Sequence, residues 1–199
     1  MMRGSTDQQR EASQDEEVDL VLRVAKQDWQ AFEALYRLYF RRLARFIDKM
    51  TRQPNLIDEV IDDTMLVVWE KAQTFTNTSR VSTWIFAIAY RKALKAMEKE
   101  QRHVANSDVL GLHHDEVASV APGPEDMLHA VQSRELIARS LAQLSAEHRA
   151  VVELTYHHGC AYSEIAVIAN CPEATVKTRM FHARRKLREL LAAEGWLKS

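Results

Sequence analysis

The sequence has little of the material from which chain turns are made. Only 5 of its 199 residues are glycine and 4 are proline, while long stretches are rich in leucine, alanine, glutamate, arginine and lysine. A β-sandwich or β-barrel needs a turn about every 8–12 residues, and those turns draw heavily on glycine and proline. The scarcity of both residues argues against such folds and predicts an all-α protein.

Long apolar runs are also missing. No segment approaches the roughly 18 apolar residues that a membrane-spanning helix needs, and the polar residues 1–14 lack the apolar stretch of a signal peptide. We therefore expect a cytoplasmic protein with no membrane insertion. The hydrophobic content of 46% is ample for one large packed core or two small ones.

The sequence patterns of enzymes and metal sites are absent as well. There is no glycine-rich phosphate loop, no nucleophile elbow and no helix motif of metal ligands, so we expect no enzyme activity, no catalytic residue and no cofactor. Cys160 and Cys171 lie near His157 and His158, but their spacing fits no common zinc pattern and both cysteines occupy apolar positions. Burial of the two thiols is expected and no metal site, and a redox role for either stays open.

Helical periodicity divides the chain into two domains. The pattern fails between His103 and Glu125, where serine, glycine, proline and acidic residues interrupt it. The predicted helices lie at 15–26, 29–50, 56–73, 82–103, 125–143 and 146–157, followed by the two described next. The predicted organisation is a disordered N-terminus at 1–14, a helical domain at 15–103, a flexible linker at 104–124 and a second helical domain at 125–199.

The end of the chain carries a helix-turn-helix pattern. A short helix at 163–169 precedes the turn 170–172, and a longer basic helix follows. The helical period turns one set of residues of this second helix into the core: Val176, Met180, Ala183 and Leu187. The opposite face suits a DNA major groove and consists of Thr178, His182 and Arg185, with Lys177 and Arg184 to one side.

Charge is segregated along the chain. The formal net charge is −1, yet residues 172–198 hold seven basic and three acidic side chains, a local excess of +4. The opposing acidic residues are concentrated near the N-terminus and between 106 and 126. This segregation indicates two kinds of partner, one anionic and one not.

A second basic helix lies near the middle of the chain. Directly before it stands a polar loop, 75–82, and one face of the helix is aromatic and cationic, with Trp84, Ile88, Arg91 and Lys95. Unpaired nucleic acid is bound by cations that hold its backbone and by rings that stack on its bases. A solvated helix face with a half-buried tryptophan is the alternative.

The helix before that loop is acidic. Its carboxylates would repel DNA and suit a basic protein surface, although a plain solvated face is the commoner meaning of such charges. The carboxylates are Asp58, Glu59, Asp62, Asp63 and Glu70.

Together, these segments resemble the extracytoplasmic-function (ECF) sigma factors of bacteria, which are small two-domain relatives of sigma-70. The resemblance runs from about Trp29 to Leu190. It rests on four stretches in the family's order and spacing, at 31–39, 58–69, 82–89 and 144–184.

The resemblance implies a partner for each face. The acidic stretch would dock on the β′ clamp helices of core RNA polymerase through Asp58, Glu59, Asp62 and Asp63. The polar loop and the helix after it would melt the −10 promoter element through Asn77, Ser79, Arg80, Trp84, Arg91 and Lys95. The helix-turn-helix would rest on the β flap and read the −35 element through Thr175, Lys177, Thr178, Phe181, His182, Arg184 and Arg185. An anti-sigma factor is the further partner implied.

Two other classes of protein stay open at this point. A helix-turn-helix repressor or response-regulator output domain that binds duplex DNA unaided would explain the C-terminal motif, but it leaves the second basic helix and the acidic helix without a role. A helical protein–protein adaptor predicts neither basic face.

Overall fold

The computed structural model describes residues 4–106, 135–194 and 196. Every regular element in this part of the chain is helical, which confirms the all-α fold class. Short 3-10 turns at Pro54–Leu56 and Ala72–Thr74 flank the third helix. The helices are α1 Gly4–Val24, α2 Trp29–Thr51, α3 Ile57–Lys71, α4 Val81–Asn106, α5 at 135–142, α6 Ala146–Tyr156, α7 Tyr162–Ile168 and α8 Glu173–Ala193.

The observed helices differ from the predicted ones most at the N-terminus. Helix α1 begins at Gly4, whereas the sequence predicts disorder over 1–14 and a helix from about Asp15. Residues 8–12 are good helix formers without an apolar face, so they extend a helix without the periodicity by which one is recognised. Most of the predicted linker 104–124, and the predicted helix start at Glu125, lie outside the described residues, and the domain division stays a prediction.

Helix α2 begins at Asp28, whose carboxylate caps it. One oxygen accepts hydrogen bonds from the backbone N–H groups of Gln30 and Ala31 at 2.9 and 3.1 Å. The bond from Ala31 and the neighbouring Arg23 guanidinium lower the pKa of Asp28. Beyond the cap, an apolar residue is buried every three or four positions, and this stripe forms the centre of the N-terminal core: Ala31, Leu35, Tyr39, Leu43, Phe46, Ile47 and Met50.

A buried carboxylate fixes α1 against α2. Glu17 accepts a hydrogen bond from the Tyr39 hydroxyl at 2.6 Å and lies 3.3 Å from the Arg42 guanidinium. That guanidinium stacks over the Tyr39 ring, 4.6 Å from its centroid. Burial and the charge of Glu17 raise the pKa of the Tyr39 phenol, so the hydroxyl stays protonated and remains the donor to Glu17.

Helix α4 is covered on more than one side. It packs against α2 and α3, and α7 of the C-terminal domain packs against it as well. Ile88, which the helical period places on the outer face beside Trp84, is therefore buried, with 4% of its surface exposed. The prediction for Ile88 was wrong because a helix period locates one covered face and gives no sign of a second.

The C-terminal domain contains the predicted helix-turn-helix. Glu164 caps the start of α7 by accepting a hydrogen bond from the Ala161 N–H at 2.8 Å. After α7, Asn170 adopts a left-handed backbone with φ of 48°, which asparagine tolerates, and α8 begins after Pro172. The inward residues of α8 are those that the period predicts, with Val176, Met180 and Ala183 buried and Leu187 half-buried.

The two domains pack together through a surface that we call the domain interface, formed by α2 and α4 on one side and α6 and α7 on the other. Arg45 of α2 donates a hydrogen bond to the buried carboxylate of Glu153 in α6 at 2.8 Å. Arg149 of α6 donates two hydrogen bonds, at 2.9 and 2.7 Å, to the Met50 carbonyl near the end of α2. A residue of one domain thus satisfies a helix end of the other.

A histidine lies inside the domain interface. The His158 ring centroid is 4.6 Å from that of Phe86 and 6.1 Å from that of Phe46. Burial, with the nearby guanidinium groups of Arg42 and Arg45, lowers the pKa of His158 to about 4. The imidazole is therefore neutral at pH 7, and it packs as an aromatic group between the domains.

Removing the Tyr39 hydroxyl tests the contact between α1 and α2. Tyr39→Phe deprives the buried Glu17 carboxylate of its shortest hydrogen bond, so we expect the free energy of unfolding to fall by about 1–3 kcal/mol. Urea unfolding followed by circular dichroism measures it. Tyr36→Phe is the matched control, because the Tyr36 hydroxyl binds Asp62 at the surface and its loss should cost much less. Equal effects of the two substitutions would contradict this account of α1.

Candidate nucleic-acid and polymerase interfaces

The face of α8 opposite its buried stripe carries all seven residues predicted for the −35 site. Thr175 is half-buried and the other six are exposed, with 62% of Phe181 accessible. The Lys177 ammonium lies 2.8 Å from Glu173, and this hydrogen bond raises the pKa of Lys177. Arg185 lies 3.7 Å from Glu189. Exposed pairs of this kind contribute little to stability, so phosphate groups could replace the carboxylates at low cost.

One cation of this face is held by a residue that sequence reasoning missed. The Tyr156 hydroxyl accepts hydrogen bonds from Nε and Nη2 of Arg184 at 3.1 and 2.7 Å. Tyr156 lies in α6 and is 59% exposed. Its hydroxyl fixes the direction of the Arg184 guanidinium at the edge of the recognition helix, and no local sequence pattern links two residues 28 positions apart.

The residues predicted for the −10 site divide between the loop before α4 and the outer surface of that helix. Asn77 has a left-handed backbone with φ of 55°, a conformation that asparagine adopts more readily than most residues. The half-buried Trp84 packs against Phe75 with 5.3 Å between the ring centroids. Arg91 and Lys95 are exposed on α4, two and three turns beyond Trp84.

A cleft of about 470 Å³ opens over the loop. Its volume falls in the range of about 300–1,000 Å³ that is typical of small-molecule sites. The loop forms one side of the cleft and α7 the other, while Arg91 and Lys95 do not line it. The lining residues are Gln14, Asn77, Thr78, Ser79, Arg80, Thr83, Ser163, Glu164 and Val167.

Glu164 joins the two sides of the cleft. Its carboxylate lies 3.5 Å from the Arg80 guanidinium and accepts a hydrogen bond from the Thr83 hydroxyl, also at 3.5 Å. The same side chain caps α7 through its other oxygen. A residue of the helix-turn-helix domain therefore neutralises a cation of the predicted −10 site.

The four carboxylates predicted to bind polymerase are all exposed on α3. Two of them also tie α3 to α4, because Glu59 pairs with Lys99 at 3.2 Å and Asp63 pairs with Lys92 at 3.0 Å. Asp58 makes no ion pair within the part of the chain that the structure describes. The four residues thus differ in how far the fold already uses their charge.

An exposed aromatic row borders these carboxylates and was not predicted. We define it as Trp29, Phe32, Tyr36 and Phe40 of α2 with Trp69 of α3. Neighbouring ring centroids along it lie 5.2 to 6.4 Å apart, and Trp29 is 64% exposed. The Tyr36 hydroxyl donates to Asp62 at 3.1 Å, and burial with this bond raises the pKa of Tyr36. The available signal was a second apolar stripe on α2, one more than its own core requires.

The cysteines do not form a site. Both are half-buried, and burial raises the pKa of the Cys160 thiol to about 11. Within the described part of the chain, no group of histidine, cysteine, aspartate and glutamate side chains is arranged to hold a metal ion. None of the described helices is long and apolar enough to cross a membrane.

Comparison with known protein families assigns both halves of the chain. Residues 35–103 match the family model of sigma-70 region 2, and residues 134–187 match that of sigma-70 region 4. The first match covers the predicted −10 and polymerase sites, and the second covers the helix-turn-helix.

Similar proteins extend this over most of the chain. The ECF RNA polymerase sigma factor SigL of Mycobacterium tuberculosis is 32% identical over 163 residues, which cover 81% of this chain and 89% of that protein. The ECF RNA polymerase sigma-E factor of Escherichia coli is 27% identical over 173 residues, covering 84% and 90%.

Solved structures agree. The sigma factor RpoE in complex with the anti-sigma factor NepR from Bartonella quintana has a TM-score of 0.67 and 25% identity, covering 81% of this chain and 96% of that one. CnrH in complex with the cytosolic domain of CnrY has a TM-score of 0.63 and 21% identity, covering 89% and 98%, and supports the fold. The resemblance inferred from the sequence is confirmed: the chain belongs to the extracytoplasmic-function sigma factors of the sigma-70 family, which are promoter-specific transcription initiation factors.

Proposed function

We propose that this protein binds bacterial core RNA polymerase and directs it to promoters, where α8 reads the −35 element and the N-terminal domain recognises and melts the −10 element. One observation carries the proposal. The chain presents two separate cationic faces, on α8 and around the loop before α4, together with an acidic face on α3 that DNA would repel. A repressor needs only the first of these. RNA synthesis is the polymerase's chemistry, so the protein acts without catalytic residues or a cofactor.

At the −35 element, the position of each residue along α8 divides the work. Thr178 and His182 lie near the start of the helix, where a recognition helix meets base edges. The Thr178 hydroxyl donates to the Ala174 carbonyl at 3.0 Å, so it offers a base its acceptor lone pairs and its methyl group. Arg184 and Arg185 lie further along, where phosphates are the nearest partners.

At the −10 element, the loop supplies the polar groups and α4 supplies the ring and the cations. Asn77 and Ser79 line a cleft large enough for an extruded base, and Arg80 stands at its edge. Arg91 and Lys95, exposed further along α4, follow the backbone of the displaced strand.

Core polymerase docks on α3 and the aromatic row. Aromatic residues within a charged rim are the usual composition of an interface with a few dominant contacts. Asp58 and Asp62 provide an acidic rim suited to a basic helical surface, which we assign to the β′ clamp helices, while the helix-turn-helix domain rests on the β flap. The cytoplasm, which holds polymerase and promoter DNA, is the place of action.

An anti-sigma factor is the proposed negative regulator. The similar sigma factor from Bartonella quintana is described in complex with one. An exposed aromatic row and an exposed α8 face provide surfaces that such a protein could cover.

Charge reversal on α3 tests the docking surface. Asp58→Lys with Asp62→Lys should weaken binding to core polymerase by roughly tenfold or more, because attraction becomes repulsion, while helicity and Tm stay nearly unchanged. These two residues are chosen because Glu59 and Asp63 pair with lysines of α4. Trp29→Ala should weaken the same binding through the aromatic row. Glu16→Lys with Glu98→Lys reverses two exposed charges elsewhere and should have no such effect. Undiminished core binding by the α3 variant would remove this surface.

Substitution in the loop tests promoter melting. Asn77→Gly keeps the left-handed backbone without the strain that alanine would add, and Ser79→Ala removes the hydroxyl. Together they should spare core binding and depress open-complex formation on duplex promoters, with a milder defect on templates already melted at −10. Permanganate footprinting measures opening, and Gln73→Ala, outside the loop, is the control. Normal opening on both templates would exclude the loop from the site.

A randomised −35 library tests the recognition helix. Thr178→Ala and His182→Ala should each change which bases are preferred, by about 1–3 kcal/mol for each lost base contact. Arg185→Ala should weaken all promoters alike and reduce the salt dependence by about one unit of slope, because it holds a phosphate. Sequencing the transcripts made with each variant gives the preference. If the Thr178 and His182 variants keep the original preference, the bases are read from another part of α8.

A further inference from the structure

The packed arrangement of the two domains cannot contact both promoter elements at once. Positions −35 and −10 are about 25 base steps apart, which corresponds to roughly 85 Å of duplex at ~3.4 Å per step. In this structure Glu164 of the helix-turn-helix domain lies 3.5 Å from Arg80 of the −10 loop. The domains must therefore separate before both elements can be bound.

The contact at Arg80 involves the charge that DNA would use. Glu164 presents an anionic oxygen to the Arg80 guanidinium and the Thr83 hydroxyl, and α7 forms the opposite side of the cleft. A backbone phosphate approaching Arg80 would need the same space and the same charge. We propose that the packed arrangement is an autoinhibited state of the free protein, in which α7 covers the −10 loop and Glu164 stands where a promoter phosphate binds. This inference rests on the function proposed above for the loop.

The domain interface contains the groups that hold this state closed. Glu153 has only 5% of its surface exposed, and its partner across the interface is Arg45. On its own side, Glu153 faces the imidazoles of His157 and His158 at 3.7 and 3.9 Å. Without Arg45, the closed state would bury a carboxylate that has lost its strongest cation, whereas separation of the domains would return that carboxylate to water. Arg45 therefore stabilises the closed state selectively.

The closed state leaves the polymerase surface accessible. Trp29 and Leu66, beside the acidic residues of α3, are 64% and 53% exposed, and Phe181 on α8 is 62% exposed. The autoinhibition thus acts on the −10 strand alone. The closed protein can meet core polymerase first, and the −10 loop becomes available when the domains are drawn apart.

Binding of free protein to single-stranded DNA tests this inference. The probe is a fluorescent non-template oligonucleotide carrying the −10 sequence that the holoenzyme selects, and anisotropy gives the Kd for the full-length chain without polymerase. Arg45→Ala should bind about tenfold more tightly than wild type, although it removes a positive charge, which by itself would weaken DNA binding. Arg41→Ala removes an exposed charge from the same helix and should bind no more tightly than wild type.

A second variant addresses the contact at the loop itself. Glu164→Gln retains an oxygen to cap α7 but removes the charge facing Arg80, and it should tighten binding about threefold. Glu98→Gln removes one exposed negative charge from α4 and controls for the change in net charge. An increase in the radius of gyration of Arg45→Ala in small-angle scattering, with helicity unchanged, would support opening of the domains.

Transcription by the same variants separates this inference from the proposed function. With core polymerase, Arg45→Ala and Glu164→Gln should both give wild-type run-off transcription, because the holoenzyme is already open. If it does so and the free variants bind the −10 strand no more tightly than wild type, autoinhibition is overturned and the function of the loop stands. If the wild-type holoenzyme itself fails to hold the −10 strand, the loop assignment fails and the inference fails with it.

Discussion

Helix α2 is the element on which the rest of the structure depends, because three of its sides are used at once. One stripe forms the centre of the N-terminal core. A second carries most of the aromatic row, next to the acidic face of α3. A third, with Arg45 and the Met50 carbonyl, receives α6 of the C-terminal domain. Side chains on a helix follow each other at fixed angles, so a change of register in α2 would displace the core, the polymerase surface and the domain interface together.

The cations proposed to bind DNA are already partnered in the free protein. Lys177, Arg185 and Arg80 each face a carboxylate of this chain. Such pairs at the surface are worth little, so a phosphate can take over the cation with a small loss, and counterion release favours the exchange. A chain with a net charge of −1 can therefore present cationic faces to DNA, and its internal carboxylates limit binding until polymerase aligns those faces.

Local patterns predict those features of the fold that depend on neighbours within a few turns. The inward stripe and the outward face of α8 follow from the helical period, because both alternate along a single helix. The capping role of Glu164 also lies within one turn of its partner. The aromatic row could have been found in the same way, because Trp29, Phe32, Tyr36 and Phe40 recur at helical spacing.

Features that join distant parts of the chain could not be predicted. Arg45 meets Glu153 across 108 positions, and Tyr156 fixes Arg184 from another helix. The burial of Ile88 depends on a domain that its own helix pattern does not encode. The start of α1 was missed for the opposite reason, since a polar segment with good helix formers gives no periodic signal. The assignment of −10, −35 and polymerase residues rests on family resemblance, and geometry adds which of them stand together.

Run-off transcription with purified core polymerase tests the central claim most directly. A library of duplex templates with randomised promoter sequences is transcribed with core alone, with the free chain alone and with both, and the transcripts are sequenced. The account predicts promoter-specific transcripts only when both are present, enriched for two elements at −35 and −10. Tight sequence-specific binding of the free chain to duplex DNA, with no transcript when core is added, would contradict it and favour a repressor.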